Sequence, residues 1–470
     1  MSSAAQMIER LRPSLGARGV LTDSSDIHPW LTDWRGKWTG RAAALLQPAS
    51  TDEVADVVRL AEEYGVPLVP QGGNTSMVGG ATPDASGACM LLSLRRLNKV
   101  RSIGDGVAVA EAGVILADLQ ATALERGQRF PLTLGAHGSA TVGGLASTNA
   151  GGTQVLRFGT MRQLVTGVEA VLSGGLVHDG LAGLKKDNRG YALDQLLVGA
   201  EGTLGVITAV AVRLVPAVRD RAVAWVGLAS PQQGLDLLRF LQAHTDAVEG
   251  FEILPQDSLD RVLRYIPDTR APLTGTHPWH VLIEATSTSD RAQAPGPLLQ
   301  NLLAAALDAG LLADATIAAS DTQAEAFWRI RHSISEAEKR DGPALQHDIS
   351  VPVGAMPRFM IEAAAAVEKA FPGTDASGFG HLGDGNVHFH VRAPAHGAAA
   401  WMEQEGSAAS RLVHDLVTEA GGSISAEHGI GQMKREELQR LSSPARLFAL
   451  GAIKRAMDPH NIFNPGKLID

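Results

Sequence analysis

Cysteine is almost absent from this chain, since its 470 residues include only Cys89. A lone cysteine cannot form an internal disulfide, which is typical of proteins that fold in a reducing compartment. It also cannot supply the thiolates of an iron–sulfur cluster, so electrons must leave this protein to a separate acceptor. We therefore expect a cytoplasmic protein, and we interpret Cys89 as a small buried side chain.

Long apolar runs and a positive net charge are missing as well. No stretch of about 18 apolar residues occurs, so we predict no membrane-spanning segment. The first residues, "MSSAAQMIERLRPSLG", lack the apolar core of a secretory signal. The formal net charge is −9 at pH 7 without a basic stripe, which argues against a nucleic-acid partner.

Glycine, in contrast, is abundant, and many of the 51 glycines are clustered. Three runs combine glycine with Ser, Thr, Asn or Glu: "QGGNTSMVGG" (71–80), "LGAHGSATVGGLASTNAGG" (134–152) and "VGAEGTLGVIT" (198–208). Glycine lets backbone N–H groups approach an anion or a planar ligand closely. One such run would most simply be a turn, and none is a G-x-G-x-x-G or Walker A motif. Three together indicate one long ligand, with Glu201 available for a ribose-like hydroxyl.

The order of predicted elements indicates two domains. "STDEVADVVRLAEEYG" predicts a helix that begins after Ser50 and stops at Gly65. From about residue 218, strand-like segments such as "AVAWVGL" alternate with helical ones such as "SPQQGLDLLRFLQAH". That alternation predicts an antiparallel sheet with helices on one face. We place the domain boundary near Val215-Pro216.

The stretch "GFGHLGDGNVHFHV", residues 378–391, contains an Asp-Gly pair between alternating apolar residues. Asp-Gly is typical of a two-residue hairpin with a type I′ turn. A turn at Asp384-Gly385 puts His381 opposite His388, with Cβ atoms roughly 5 Å apart on one face. Such a pair can hold a metal, a substrate or nothing.

Six ordered motifs carry a resemblance to a known family: "VPQGGNTSMVGG", "GSATVGGLASTNAGG", "LLVGAEGTLGVIT", "GHLGDGNVHFHV", "SAEHGIG" and "NIFNPGKL". They resemble the FAD-linked oxidase family of the vanillyl-alcohol oxidase (PCMH-type) superfamily, and within it the D-lactate, glycolate and D-2-hydroxyglutarate dehydrogenases. The resemblance implies an α+β protein. A two-subdomain FAD-binding domain (1–216, core about 40–216) should precede an antiparallel-sheet cap domain with flanking helices (217–470), whose C-terminal segment returns to the flavin.

The resemblance also implies the FAD contacts. The pyrophosphate should lie on Gly72, Gly73, Asn74, Thr75 and Ser76, the flavin side on Gly143, Gly144, Ser147, Asn149 and Gly151, and the adenosine end on Glu201, Gly202 and Ile207, with Asn464 as a further contact. Covalent relatives often carry a histidine directly after the paired glycines. Asn74 stands at that place and cannot form the bond, so we expect non-covalent FAD.

The resemblance implies an FAD-dependent dehydrogenase that oxidises a D-2-hydroxy acid, D-2-hydroxyglutarate or D-lactate, to the 2-oxo acid. This reaction transfers a hydride to flavin N5 and removes the hydroxyl proton. His381, His388 and Glu427 are the predicted ligands of a divalent metal, zinc or manganese, that lowers the hydroxyl pKa. His428 is the predicted base. Asn386, two residues before His388, is predicted to bind substrate.

Arg331 is the predicted binding residue for the substrate carboxylate, because a guanidinium offers a carboxylate two parallel hydrogen bonds. Trp328, Arg331 and Ser335 recur at helical spacing, and the family places Arg and Thr or Ser at the last two. D-2-hydroxyglutarate dehydrogenases often have Lys where this chain has Gln346. That change weakens the case for a second substrate carboxylate.

Two alternatives remain beside this hypothesis: a glycolate oxidase-type subunit, and a non-redox transferase similar to alkyl-dihydroxyacetone-phosphate synthase. The latter tends to carry a histidine-rich run where this chain has "GHLGDGNVH". The expected partners are a small 2-hydroxy acid and an electron acceptor, which is an electron-transfer flavoprotein, a quinone or a cytochrome. We also expect a homodimer.

Overall fold

The computed structural model describes residues 2–184 and 186–469, which divide into two compact units. Unit 1 contains the chain up to residue 152, residues 159–216, and the chain from residue 427 on. Unit 2 contains residues 153–158 and 217–426. Within the described ranges, no helix is long and apolar enough to cross a bilayer.

Helices and strands are numbered separately, in chain order. The α-helices are α1 (Ser3–Leu15), α2 (Ser24–Ile27), α3 (Thr51–Tyr64), α4 (Leu116–Leu124), α5 (Val142–Thr148), α6 (Val155–Phe158), α7 (Met161–Leu164), α8 (Leu193–Leu197), α9 (Pro231–His244), α10 (Gln256–Tyr265), α11 (Pro295–Asp308), α12 (Asp321–His332), α13 (Ile334–Asp341), α14 (Met356–Ala370), α15 (Ala398–Gln404), α16 (Gly406–Glu419), α17 (Arg435–Leu441) and α18 (Pro444–Met457). The strands are β1 (Val20–Leu21), β2 (Ala44–Leu46), β3 (Leu68–Gln71), β4 (Met90–Ser93), β5 (Val100–Gly104), β6 (Val107–Glu111), β7 (Gln128–Arg129), β8 (Val165–Leu172), β9 (Leu176–Asp179), β10 (Val206–Arg213), β11 (Val215–Pro216), β12 (Asp220–Leu228), β13 (Val248–Pro255), β14 (Trp279–Ser287), β15 (Asp314–Ile317), β16 (Ala344–Ser350), β17 (Asp375–His381) and β18 (Asn386–Arg392).

Helix α3 shows how local sequence sets an element in unit 1. The Ser50 hydroxyl accepts the Glu53 N–H at 3.2 Å, and Gly65 ends the helix at φ +63°. The predicted start and stop are therefore confirmed. Val54, Val57, Val58 and Ala61 recur every three or four residues, so they form one buried face.

Unit 1 is built on two main sheets. A four-stranded sheet has the order β1-β2-β4-β3, in which β2, β4 and β3 run parallel. Helices α1 and α3 bury their apolar faces in the same core as this sheet. A five-stranded sheet of order β5-β6-β10-β8-β9 is antiparallel throughout.

Unit 2 is built on one seven-stranded antiparallel sheet of order β15-β12-β14-β13-β17-β18-β16. Along β12, Ala224 and Val226 enter a core shared with α9, α11, α14 and α16. Trp225, between them, enters a second core shared with α10, α12 and α13. Helices thus cover both faces, and the prediction of helices on one face is wrong, because both sides of these strands are apolar.

Candidate functional site

The histidine hairpin joins β17 to β18 with a different register from the predicted one. Backbone pairing puts His381 opposite Asn386, and His388 opposite Phe379. The predicted pairing of His381 with His388 is therefore wrong. The connection contains residues 382–385 rather than a two-residue Asp-Gly turn.

Burial explains the longer connection. Leu382 is fully buried in the core of unit 2, and its N–H donates to the Phe251 carbonyl of β13 at 3.2 Å, so it does not pair with β18. Gly385 has φ +83°, and a Cβ at Gly385 would lie 2.0 Å from the Val351 carbonyl oxygen. Asp384 and Gly385 both direct their N–H groups to the His381 carbonyl oxygen, at 3.3 and 3.1 Å. A turn held by this pattern needs glycine at its last position.

The two imidazoles still share one face of the sheet. His388 lies two residues beyond Asn386, the partner of His381, so the two histidines are diagonal neighbours on one side. Their ring centroids are 5.5 Å apart, and a ring nitrogen of each lies within 4.8 Å of the other. Both residues are half-buried. Pairs of imidazoles are among the ligands that zinc sites in proteins use.

Glu252, on the neighbouring strand β13, binds the first of these histidines. It lies opposite His381, and its Oε1 accepts His381 Nδ1 at 2.6 Å. Its Oε2 accepts Arg331 Nε at 2.8 Å. Burial raises the pKa of the Glu252 carboxyl, but the charges of His381 and Arg331 outweigh burial and lower that pKa to about 2. The ionised carboxylate only accepts hydrogen bonds, so His381 donates from Nδ1.

Sequence reasoning missed Glu252, although a signal was present. The strand "VEGFEILP" is buried along its whole length, yet it contains two glutamates. A carboxylate in a continuous buried strand needs a charged or hydrogen-bonding partner. Glu249 has such a partner in Arg157, at 2.7 Å, and Glu252 has two.

Asp348 on β16 stands beside the second histidine. It pairs with His388 across the strands, and its Oδ1 is 3.9 Å from His388 Nδ1. Asn386 Nδ2 donates to Asp348 Oδ1 at 2.9 Å and to the Ile349 carbonyl at 3.0 Å. The Asn386 amide hydrogens are thereby used within the sheet. For substrate, Asn386 offers only Oδ1, which is buried without a hydrogen-bond partner among the described residues.

Arg331 is buried near the end of α12, and its guanidinium carbon lies 5.0 Å from the centroid of the Phe379 ring. Besides Nε, no guanidinium nitrogen of Arg331 makes a hydrogen bond within the described ranges. Ser335 lies beyond the break at Ser333, on α13, and is exposed. The predicted face shared by Trp328, Arg331 and Ser335 is therefore wrong, because α12 ends before Ser335.

Glu427 and His428 begin the last segment of unit 1. A carboxylate oxygen of Glu427 and a ring nitrogen of His428 lie within 4.8 Å of each other, and both residues are half-buried. The preceding residue, Ala426, belongs to unit 2 and donates its N–H to the Asp348 carbonyl at 3.3 Å.

The first two glycine loops of unit 1 meet each other. A Cβ on Gly72 would lie 2.1 Å from Thr141 Oγ1, and one on Gly73 would lie 2.0 Å from the Ser139 carbonyl oxygen. Asn74 adopts φ +56°, and its Nδ2 donates to the Thr32 carbonyl at 2.9 Å. Only glycine at positions 72 and 73 lets the loops approach this closely.

The polar residues of the second loop stabilise α5. Thr141 Oγ1 accepts the Gly144 N–H at 3.4 Å, and Asn149 ends the helix at φ +52°. Asn149 Oδ1 accepts from Thr160 Oγ1 and from Arg162 N, both at 2.8 Å. A Cβ on Gly143 would lie 2.4 Å from Ala112 Cβ, so this glycine allows α5 to pack tightly.

Glu201, in the third loop, differs from the prediction of a carboxylate available for a hydroxyl. Its two carboxylate oxygens accept the N–H groups of Ile430 and Gly431, each at 2.7 Å. Burial raises the pKa of the Glu201 carboxyl, and these bonds to its charged form counteract that rise. Glu201 N also donates to the Ser147 carbonyl at 2.8 Å. Glu201 therefore fastens the C-terminal segment to the second and third loops.

The other predicted FAD residues also lie in unit 1. Asn464 Nδ2 donates to the carbonyls of Gly80 and Glu201 at 2.9 and 2.7 Å. Ser76 Oγ accepts the Gly80 N–H at 3.1 Å. The rest are Thr75 after β3, Gly144 in α5, Gly151 after α5, Gly202 at φ +70°, and Ile207 buried in β10.

These loops fit FAD. Three glycine-rich segments with little side-chain bulk converge in unit 1, as a dinucleotide with a planar ring requires. Asn464 Oδ1 and Gln71 Oε1 are buried oxygens without a hydrogen-bond partner in the described part of the chain. Such acceptors suit the hydroxyl and amino donors of FAD.

Comparisons with known proteins agree with both halves of the chain. Residues 42–180 match the family model "FAD binding domain", and residues 217–468 match "FAD linked oxidases, C-terminal domain". A mitochondrial D-2-hydroxyglutarate dehydrogenase of Arabidopsis thaliana is 33% identical, over 100% of this chain and 85% of the relative. A D-2-hydroxyglutarate dehydrogenase of Xanthomonas citri pv. viticola is 33% identical, over 98% of this chain and 96% of the relative.

A solved structure of p-cresol methylhydroxylase with substrate bound has the same fold. Its TM-score is 0.75 at 16% identity, and the match covers 100% of this chain and 97% of that one. The predicted α+β PCMH-type architecture is thus confirmed. Since both family models match in chain order and the curated relatives cover nearly the whole length, the protein belongs to the FAD-linked oxidase family.

Proposed function

We propose that the protein is an FAD-dependent dehydrogenase that oxidises a D-2-hydroxy acid to the 2-oxo acid. One observation carries the proposal: His381 and His388 lie side by side, and Glu252 connects His381 to the buried Arg331. That arrangement offers metal-binding imidazoles and a carboxylate-binding guanidinium in a chain with an FAD-binding domain. The relatives named as D-2-hydroxyglutarate dehydrogenases support the same reaction class.

Arg331 binds the substrate carboxylate in this proposal. Glu252 uses Nε, which leaves the two terminal nitrogens for a second carboxylate. The Phe379 ring beneath the guanidinium restrains its plane. Ser335 remains a predicted substrate contact, although its side chain is exposed on the next helix.

His381, His388 and Glu427 are the proposed ligands of a divalent cation, zinc or manganese. Two imidazoles and one carboxylate leave coordination positions open for substrate oxygens. When bound, the cation would act as a Lewis acid and lower the pKa of the substrate hydroxyl. Glu252 accepts the hydrogen bond of His381 Nδ1, as carboxylates commonly do behind metal-binding imidazoles, and Asp348 Oδ1 lies 3.9 Å from His388 Nδ1.

His428 is the proposed base, because a ring nitrogen of histidine can take the hydroxyl proton near neutral pH. Asn386 keeps Asp348 in place, and its Oδ1 can accept a substrate hydrogen bond. FAD, when bound, would supply the acceptor for the hydride of the substrate α-carbon. The glycine loops of unit 1 would hold FAD without a covalent bond, because Asn74 has no ring nitrogen that could attach to it. Acid or heat should therefore release intact FAD.

Other parts of the hypothesis stay predictions. These are the separate electron acceptor, the homodimer and the cytoplasmic location. Both D-2-hydroxyglutarate and D-lactate stay open as substrates, because Gln346 stands where D-2-hydroxyglutarate dehydrogenases often have Lys. Gln346 lies on β16, opposite His390 and two residues before Asp348.

The proposal is tested by an anaerobic screen of D- and L-2-hydroxy acids that follows the visible absorbance of the flavin. We expect D-2-hydroxy acids to bleach the flavin and their L-enantiomers to leave it oxidised. A transferase similar to alkyl-dihydroxyacetone-phosphate synthase would turn over its substrate without net bleaching. No bleaching by any hydroxy acid in FAD-loaded protein would refute the dehydrogenase.

A further inference from the structure

One buried carboxylate in unit 2 contacts two side chains to which the proposed function gives different tasks. Glu252 is 1% exposed, and its two oxygens bond His381 Nδ1 at 2.6 Å and Arg331 Nε at 2.8 Å. We infer that Glu252 is a positioning residue of the active site, one that sets the metal-binding tautomer of His381 and the orientation of Arg331. This inference rests on the proposed function and adds a residue to it.

The backbone fixes the Glu252–His381 contact. The two residues are direct partners in the antiparallel pairing of β13 with β17, so their side chains start on the same face a few ångströms apart. Because the carboxylate only accepts, it selects the tautomer with hydrogen on Nδ1. In the neutral imidazole, the form of histidine that binds metals, Nε2 is then the nitrogen with the lone pair. A carboxylate at the distal nitrogen also makes the imidazole a stronger metal ligand.

Arg331 depends on the same carboxylate. The residue is 8% exposed, and a buried guanidinium without a counter-ion would reorient or draw in water. Glu252 is its one ion-pair partner within 2–184 and 186–469, and the Phe379 ring packs against its face. These contacts use the Nε atom and one face of the Arg331 guanidinium. The two terminal nitrogens of the guanidinium therefore remain for a substrate carboxylate.

A glutamine at position 252 cannot perform both tasks. Its side chain has one accepting oxygen and one donating NH2 group, whereas both neighbours of Glu252 are donors. If the amide oxygen faces Arg331, the NH2 group faces His381 Nδ1 and favours the tautomer with hydrogen on Nε2. The protonated Nε2 then has no lone pair and cannot bind a metal. With the amide turned around, the NH2 group faces Arg331 Nε–H, so Arg331 loses its partner.

Glu249 supplies a matched control. It lies on the same strand, is 1% exposed, and pairs with Arg157 at 2.7 Å. Replacing either glutamate by glutamine removes one buried charge and breaks one arginine pair. If Glu252 served only as a core ion pair, then Glu252→Gln and Glu249→Gln would have the same consequences.

The test is a calorimetric titration of Zn²⁺ and Mn²⁺ into FAD-loaded, metal-stripped protein, with FAD content and Tm measured on the same samples. We expect Glu252→Gln to weaken metal affinity by about 10- to 100-fold while FAD content stays at the wild-type value. Glu249→Gln should lower Tm and keep the wild-type metal affinity. Glu252→Gln should also raise KM for the hydroxy acid.

The outcomes separate the inference from the proposed function. Wild-type protein that binds neither cation would refute the metal site, and with it the role of Glu252. Wild-type protein that binds metal, beside a Glu252→Gln variant with equal affinity, would refute the inference alone. If Glu252→Gln does not fold, Glu252→Asp decides the question. Aspartate keeps the charge, but its side chain is one methylene shorter, so the carboxylate lies farther from His381 and Arg331. Metal affinity should therefore fall several-fold. An unchanged affinity would refute the inference.

Discussion

Unit 1 and unit 2 use the polar residues of their candidate sites in opposite ways. In the glycine loops of unit 1, Asn149 and Glu201 bond backbone groups of their own unit and so hold loops in place. In unit 2, the side chain of Glu252 bonds the side chains of both His381 and Arg331. Unit 1 therefore offers backbone groups to its ligand, whereas unit 2 offers side chains.

The difference predicts how each unit fails when it is mutated. A backbone-lined site is damaged by added bulk, because new atoms push the loops apart. A side-chain site is damaged by removal of a charge, because a buried partner is left without its counter-ion. Substitutions in unit 1 should thus change stability and FAD content, whereas those in unit 2 should change KM, kcat or metal affinity.

The largest expected effect is that of His428→Ala. Loss of the proposed general base should lower kcat by about 10²- to 10⁴-fold. FAD content and metal content should remain normal, since His428 is not a proposed ligand of either. Rapid-reaction measurement of flavin reduction checks this prediction. A variant that reduces its flavin at the wild-type rate would show that another group takes the proton.

Arg331→Ala should have the next largest effect. Loss of a charge-assisted contact costs about 1.5–3 kcal/mol, so KM should rise roughly 10- to 150-fold. FAD content should stay unchanged, because unit 2 carries Arg331 and unit 1 binds the cofactor. Arg329→Ala is a suitable control, because Arg329 is exposed on the same helix. Equal KM values for both variants would contradict the role of Arg331.

Gly73→Ala tests the backbone-lined site. The new Cβ would lie 2.0 Å from the Ser139 carbonyl oxygen, so the first two loops must separate. We expect a stability loss of about 1–3 kcal/mol and reduced FAD content, measured by denaturant unfolding and absorbance. Gly138→Ala should be nearly neutral, because no atom lies within 4 Å of its added Cβ. Full FAD content in Gly73→Ala would refute the backbone-lined site.

Gln346→Lys should shift substrate selectivity by a smaller amount. A lysine on this strand adds a cation opposite His390, on the same face as Asp348. The ratio of kcat/KM for D-2-hydroxyglutarate to that for D-lactate should rise fivefold to tenfold, roughly 1 kcal/mol. Gln346→Met is the neutral control. If the ratio does not move, residue 346 is remote from the distal end of the substrate.

The smallest expected effect concerns Cys89. Burial, with a further contribution from the Asp84 charge, raises the pKa of the Cys89 thiol to about 11. At pH 8 only about one molecule in a thousand then carries the reactive thiolate. Native protein should resist iodoacetamide at pH 8, and labelling should increase as the pH approaches 11. Labelling at pH 8 as fast as in unfolded protein would contradict the buried position.

Local signals in the sequence predicted the elements whose causes are local. The helix between Ser50 and Gly65 was predictable, because its capping hydroxyl and its terminal glycine are encoded within 16 residues. The sequence also indicated that the three glycine-rich runs lie near one another, because three such runs together suit one long ligand. The register of the histidine hairpin could not be predicted from local sequence. It depends on Leu382 entering a core built from distant strands.

Sequence alone determined the family, the architecture of two unlike halves, and the residue types available for chemistry, because these follow from ordered motifs and from composition. Only the tertiary structure decided which polar groups are already in use. Glu201 binds the backbone of residues 430 and 431, and Glu252, outside every motif, holds both His381 and Arg331. The physical reason is that a side chain's hydrogen-bond partner is set by distance in space, and these partners are 79 to 230 positions apart along the chain.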